Sequence, residues 1–255
     1  MRFFYAPTVG TPFHTLDAEE SRHVFKVLRL REGDEVLLTD GAGGRFRGQL
    51  VGNSRTASTL ATTRLEDAPP PPRRLTLAVA PPRAAERWEW LLEKATEIGV
   101  TDIQPLLTAR TEPFKERRDR WERILAGAMK QSQQCWLPRL HAPLGWEGFL
   151  AGATGSGGAG GAGSGDAGSG SGLGAGFLAH CLPVEGPKPH LIQVAPAAGD
   201  VWVAIGPEGD FTPAEVAAGR AAGVREVDLG PHRLRTETAA WAAVHAVHLA
   251  GLRPG

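Results

Sequence analysis

Arg233, Arg235, Thr236, Glu237 and Thr238 concentrate two guanidiniums, two hydroxyls and a carboxylate immediately before an alanine-rich run. Groups of these types can steady negative charge developing on a substrate oxygen, accept a proton and hydrogen-bond a polar ligand. The structural alternative pairs Arg235 with Glu237, or with a neighbouring subunit, as an ion pair. Upstream, Ile205-Gly206-Pro207-Glu208-Gly209-Asp210 forms a second loop. Its glycines let a ligand approach the backbone closely, and Ile205 and Pro207 offer apolar contact to a flat ring. Two such loops together favour a small-molecule site.

The elements that must hold these loops follow from periodicity. Each loop leaves a strand, at 201–205 and 225–229, and enters a helix. Thr212-Pro213-Ala214-Glu215 is a capping box with proline at the first helical position, and Gly223 supplies the stop, which predicts a helix over 213–222. Thr236 reads as the cap of the last helix. Earlier, a buried strand at Leu75 to Ala80 precedes Trp88, Leu91, Leu92, Ala95 and Ile98 at helical spacing, closed by Gly99. A strand at Ile103 to Leu107, a helix carrying Trp121, Ile124, Leu125, Ala128 and Ser132, and a strand near 177–182 continue the alternation. Strand–helix alternation of this kind calls for an α/β fold with a parallel sheet, here over 73–255.

Residues 1–68 read differently. Val36 to Thr39 ends in Asp40-Gly41, and Arg45 to Val51 alternates polar with apolar positions, so a small β domain fits, with one helical stretch from Ala18 to Leu28. Pro69 to Pro72 form a stiff hinge. Residues 151–176 are almost entirely Gly, Ala and Ser, and are expected to be a flexible excursion within the second domain.

Composition removes several classes. Lys and Arg total 28 against 28 Asp and Glu, so any contact with a polyanion must use a local patch. The 110–139 stretch is one, with eight basic residues against four acidic ones. Cys135 and Cys181 have no metal-site or redox spacing, and His245 and His248 lack a completing ligand, so no metal is expected. Gly41-Ala42-Gly43-Gly44 opens no helix and is not a phosphate loop. Ser132 and Cys135 have no evident base partner. With no export signal or membrane-length apolar run, a soluble cytoplasmic protein is expected.

Leu229-Gly230-Pro231-x-x-Leu234-Arg235-Thr236-Glu237-Thr238-Ala239, with Ile205-Gly206-Pro207-Glu208-Gly209 upstream, resembles the RsmE family of ribosomal RNA methyltransferases. Glu93-Lys94-Ala95-Thr96-Glu97-Ile98-Gly99-Val100 looks like that family's first catalytic-domain helix. His23-x-x-x-Val27-Leu28-Arg29 with Gly33-Asp34 looks like its PUA-like RNA-binding barrel. The resemblance implies a SPOUT-type parallel sheet with a C-terminal trefoil knot that binds S-adenosylmethionine at a homodimer interface. It also implies methylation of N3 of a uridine in small-subunit (16S) ribosomal RNA, with the assembled small subunit as the expected partner. Carried onto this chain, the cofactor residues are His180, Cys181 and Leu182, then Ile205, Gly206, Pro207, Glu208 and Gly209, then Leu229, Gly230, Leu234, Arg235, Thr236 and Thr238.

The uridine N3 must lose its proton before or during in-line attack on the sulfonium methyl; Glu237 could accept it while Arg235 stabilises charge on the carbonyl oxygens. Arg22, Lys26, Arg29, Arg45, Arg47 and Lys130 are the expected RNA contacts. Asp210 stands where the family usually has a second glycine, and Lys130-Gln131-Ser132-Gln133-Gln134 replaces a pattern that normally contains Glu and Arg. A methyltransferase of tRNA or another RNA base, and a non-catalytic RNA-binding protein retaining the fold, are the competing readings.

Overall fold

The computed structural model describes residues 2–155, 172–184 and 186–252. Chain contacts separate two units: Met1–Pro70 with Ala126–Leu137, and Pro71–Leu125 with Pro138–Gly255.

The first unit is built on five strands, β1 (Arg2–Tyr5), β2 (Phe13–Thr15), β3 (Glu35–Thr39), β4 (Arg45–Gly52) and β5 (Thr59–Arg64), in the order β1-β3-β4-β5-β2. β1 runs parallel to β3 and the other pairs are antiparallel. Along β4, Phe46, Gly48 and Leu50 face inward while Arg45, Arg47 and Gln49 face out, the alternation a half-buried strand requires. Phe46 and Leu50 join Phe4, Leu16, Val24, Val36, Leu38 and Leu60 in one apolar core. The expected helix from Ala18 is α1 (Ala18–Arg22), capped by Asp17, whose Oδ1 accepts from Glu20 N at 2.8 Å; it widens into a π turn over His23–Leu28. Arg29 ends it in the left-handed region at φ 51°.

The glycine run between β3 and β4 has a packing role. Gly43 N donates to Cys135 O and Leu137 N to Gly41 O, both at 2.8 Å, and a Cβ on Gly43 would collide with the Trp136 ring. Gly41 and Gly43 both have positive φ, the conformation glycine adopts without steric cost.

The second unit carries β6 (Leu75–Val79), α2 (Ala85–Ile98), β7 (Asp102–Leu107), most of α3 (Arg118–Gln131), β8 (Arg139–Leu140), β9 (Leu144–Gly145), α4 (Trp146–Thr154), β10 (Ala175–Ala179), α5 (Leu191–Val194), β11 (Val201–Ile205), α6 (Pro213–Ala221), β12 (Arg225–Val227) and α7 (Thr236–Gly251). Its seven-stranded sheet is parallel at every pair, in the order β12-β10-β11-β6-β7-β8 with β9 also on β7. Every residue of β6 and β11 is buried, as expected of a parallel sheet covered on both faces. Trp146, Phe149, Trp202 and Phe211 form an aromatic cluster among α4, β11 and the start of α6. On β7, Asp102 is bound by Arg74, His141 and Thr101. Burial alone would push its carboxyl up, but these partners hold it well below the usual carboxylate range.

Several expectations shift at their edges, the strands read over 225–229 and 75–80 ending at Val227 and Val79. The strand placed near 177–182 stops at Ala179, which leaves 180–182 as loop. The helix predicted over 213–222 ends at Ala221, with Gly223 at φ 81°. The cap of α7 is Arg235, which makes no side-chain capping bond; Thr236 is its first helical residue. Of the glycine-rich stretch, 151–154 close α4 and 175–176 open β10, while 156–171 lie outside the described residues. Among the described residues no helix is long and apolar enough to cross a membrane.

Candidate active site

Three loops leave the carboxyl ends of the neighbouring strands β10, β11 and β12, the position at which open α/β sheets bind ligands. They wall a cavity of about 620 Å³. That volume suits a nucleoside-sized ligand.

The β11 loop is tied at nearly every residue. Asp210 adopts φ 63° and its N donates to Pro207 O at 2.9 Å, closing the turn. Aspartate tolerates this left-handed conformation better than most side chains, so the missing second glycine is accommodated. Its carboxylate then accepts from Cys181 N at 2.7 Å, joining the β10 and β11 loops. Glu208 accepts from Arg83 N at 3.3 Å, and Arg110 donates to Gly209 O at 2.7 Å. Beyond the turn, Glu215 closes the expected capping box with Thr212 and also accepts from Ala109 N at 2.8 Å.

Under the β10 loop, the His180 side chain is fully enclosed. Leu182 N donates to its Nδ1 at 3.2 Å, so the ring proton sits on Nε2, 2.8 Å from Glu226 Oε2. Burial lowers the His180 pKa, against the pull of Glu226. Lys188 donates to His180 O and its ammonium also lies 3.5 Å from Nδ1, a further reason for a neutral ring.

The β12 loop is looser. Gly230, at φ 129°, donates its N to Asp228 Oδ1 at 3.3 Å, and Pro231, His232, Arg233 and Arg235 are exposed. Its far end is fixed where Thr236 Oγ1 donates to Gly206 O at 3.2 Å.

Of the residues expected at the cofactor, His180, Cys181, Ile205, Gly206, Pro207, Glu208, Leu229, Gly230, Leu234, Arg235 and Thr236 line the cavity; Leu182, Gly209 and Thr238 do not. Lys188, Asp210 and Asp228 line it without having been expected there. Lys188 stands between two prolines in no motif, and Asp210 carries no ligand signal beyond its departure from the glycine usual at that position. Arg235 and Glu237 are not paired with each other. Glu237 is buried beside Arg87 of α2, 3.6 Å away, with Oε2 lacking any hydrogen-bond partner, and it is absent from the cavity wall. Helical geometry gives the reason: successive residues of α7 point about 100° apart, so with Thr236 on the β11 loop, Glu237 faces α2.

Among the expected RNA contacts, Arg22, Lys26, Arg29, Arg45 and Arg47 are exposed on the first unit. Lys130 is half-buried and donates to Glu20 at 2.6 Å. Neither His245, stacked on Trp241, nor His248 belongs to any metal-competent group among the described residues. Ser132 Oγ donates to Ala128 O, and burial pushes the Cys135 thiol up, so neither is an activated nucleophile.

Sequence comparison defines the class: residues 69–248 match the RNA methyltransferase domain and residues 16–59 the RNA methyltransferase PUA domain. Ribosomal RNA small subunit methyltransferase E of Synechocystis sp. is 32% identical over 92% of this chain and 72% of its own length, and that of Bacillus subtilis 26% identical over 92% and 90%. The chain belongs to the RsmE family of ribosomal RNA methyltransferases. In structure it is similar to a probable rRNA-methyltransferase from Porphyromonas gingivalis, at 30% identity and a TM-score of 0.84 over 98% of both chains. It is also similar to ribosomal RNA small subunit methyltransferase E from Neisseria gonorrhoeae bound to S-adenosyl methionine, at 25% identity and a TM-score of 0.80 over 98% of this chain and 97% of that one.

Proposed function

We propose that the protein transfers the methyl group of S-adenosylmethionine to N3 of a uridine in small-subunit ribosomal RNA. The observation that carries this reading is the cavity at the ends of β10, β11 and β12, whose walls are the motifs shared with the family. Its residues suit the cofactor. Ile205, Pro207, Leu229 and Leu234 offer apolar surface to an adenine ring, while backbone groups of the glycine turns and the carboxylates of Asp210 and Asp228 offer partners to its polar atoms. Bound there, the cofactor supplies an electrophilic methyl.

Arg235 is the catalytic residue of this proposal. It is exposed at the cavity edge, where a guanidinium can hold the negative charge that spreads onto the uracil oxygens as N3 gives up its proton. Stabilising that anion makes the proton easier to lose, to solvent water at the open edge. Glu237 is assigned a positioning role, holding Arg87 and with it the start of α7 against α2.

The segment from Asp228 to Arg235 runs from the outer strand β12 to the end of β11, and α7 then packs on α2, β11 and β6. This path supports the trefoil knot. A homodimer is proposed on the apolar exposure of the packed α2–α7 pair, where Trp90 is 42% and Leu249 37% exposed. Incubation with radiolabelled S-adenosylmethionine and undermethylated small ribosomal subunits, then nuclease digestion and mass spectrometry, should find the label as N3-methyluridine. Label on another base or RNA would replace the substrate assignment, and loss of cofactor binding altogether would leave a non-catalytic RNA-binding protein.

A further inference from the structure

The first unit contains a second cleft, of about 360 Å³, formed by β1, the π turn and the residues ending α3. Arg2, His23, Lys130, Gln131 and Gln133 line it, with Phe3 and Leu28 as apolar wall. We propose that this cleft receives one unpaired nucleotide of the RNA substrate, with Arg2 and Lys130 at its phosphate and the amides of Gln131 and Gln133 at its base edge. The inference rests on the reading of the protein as an RNA methyltransferase and adds to it a recognition site remote in sequence from the catalytic loops.

Charge is the first argument. Glu20 is the cleft's one carboxylate among the described residues, and it already accepts from Lys130. An ammonium has three donors, so two remain for a phosphate oxygen. Arg2 donates one N–H to Leu28 O at 2.9 Å, which orients the guanidinium and spends one donor of five. Arg22 and Lys26, exposed on the same helical segment as His23, extend the positive surface.

Shape and chemistry are the second. Gln133 is held at φ 57° with its N donating to Lys130 O, so the chain turns sharply after α3 and sets both exposed glutamines at the rim. Side-chain amides carry a donor and an acceptor side by side, the complement of a base edge, and bases are readable in this way only when unpaired in RNA. The volume admits one nucleotide and not a duplex.

The test measures binding of a fluorescein-labelled, mixed-sequence single-stranded RNA nonamer to the full chain at low salt by anisotropy. Melting temperature and calorimetric S-adenosylmethionine affinity serve as controls for folding and for the catalytic cavity. The Gln131→Ala, Gln133→Ala double variant should bind the nonamer about tenfold more weakly with both controls unchanged. Arg2→Ala should weaken binding and reduce the slope of log affinity against log salt by about one. Wild-type affinity in the double variant, or no nonamer binding by the wild-type chain, overturns the proposal. Methyl transfer separates it from the reading on which it rests. Transfer to small subunits with kcat/KM unchanged in the double variant sinks the cleft alone. Nonamer binding that depends on the glutamines, without transfer to any subunit, supports the cleft and sinks the assigned reaction.

Discussion

The two glycine loops that wall the cavity are alike in sequence logic and opposite in mechanics. The Gly206–Asp210 loop is anchored by Arg83 N on Glu208, by Arg110 on Gly209, by Cys181 N on Asp210 and by Thr236 on Gly206. The Asp228–Arg235 loop has one internal bond, at Gly230, and exposes its basic side chains. A wall fixed in advance binds a ligand without a further ordering cost, whereas an exposed, charged wall with few internal bonds can adapt to a macromolecule that brings the substrate base. Under the proposed function, the difference divides the labour of one cavity between affinity and turnover.

Arg235→Ala should break the open wall and lower kcat by about 10²–10³-fold, as loss of a charge-stabilising donor does, with cofactor affinity within about threefold of wild type. Single-turnover methylation and calorimetry measure the two. Glu215→Ala should act on the fixed wall through stability: it removes the capping box and the bond to Ala109, about 2 kcal/mol together, lowering Tm by about 4–8 °C. Asp210→Ala should weaken S-adenosylmethionine binding by about fivefold with kcat near wild type, because it unties the Cys181 loop and replaces a residue tolerant of positive φ. Should Arg235→Ala and Asp210→Ala alter the same constant, the division between the walls is wrong.

The smallest effect concerns pH. His180 has a depressed pKa in the folded chain, so the folded state binds fewer protons and stability rises with pH through this range. Its contribution is fully present above the ordinary histidine value and is lost as pH falls through the folded pKa. Protonating Nδ1 removes the acceptor for Leu182 N and sets a cation against Lys188, with Glu226 and Asp210 as the opposing charges. Cofactor affinity should therefore hold from neutral pH down through the ordinary histidine value and fall modestly only below it, where the ring protonates in the folded chain, and that dependence should flatten in His180→Gln.

Much of this arrangement is readable in sequence where a local rule applies. Thr212-Pro213-Ala214-Glu215 specifies its helix start through bonds made within four residues, and Arg45 to Val51 declares its faces by alternation. Asp210 illustrates the limit, since its type shows tolerance of positive φ but not that Cys181, 29 residues away, supplies the donor. Glu237 illustrates another: proximity to Arg235 in sequence suggested a shared site, while the turn of a helix sends the two side chains to different neighbours. Lys188 and the short strands β8 and β9 carry no periodic or motif signal, and only tertiary pairing reveals them.

The segment Ala126–Leu137 has a consequence for recombination. It seats Trp136 on Gly43, exchanges backbone bonds with the Gly41–Gly43 turn and supplies Lys130 to Glu20, although more than fifty residues of the other unit precede it in the chain. The RNA-binding unit is therefore not a cassette that can be clipped off at the proline hinge. A chimera exchanging this module between relatives must inherit two separate stretches of gene together, and a single crossover at the hinge would leave an indole slot with a foreign occupant.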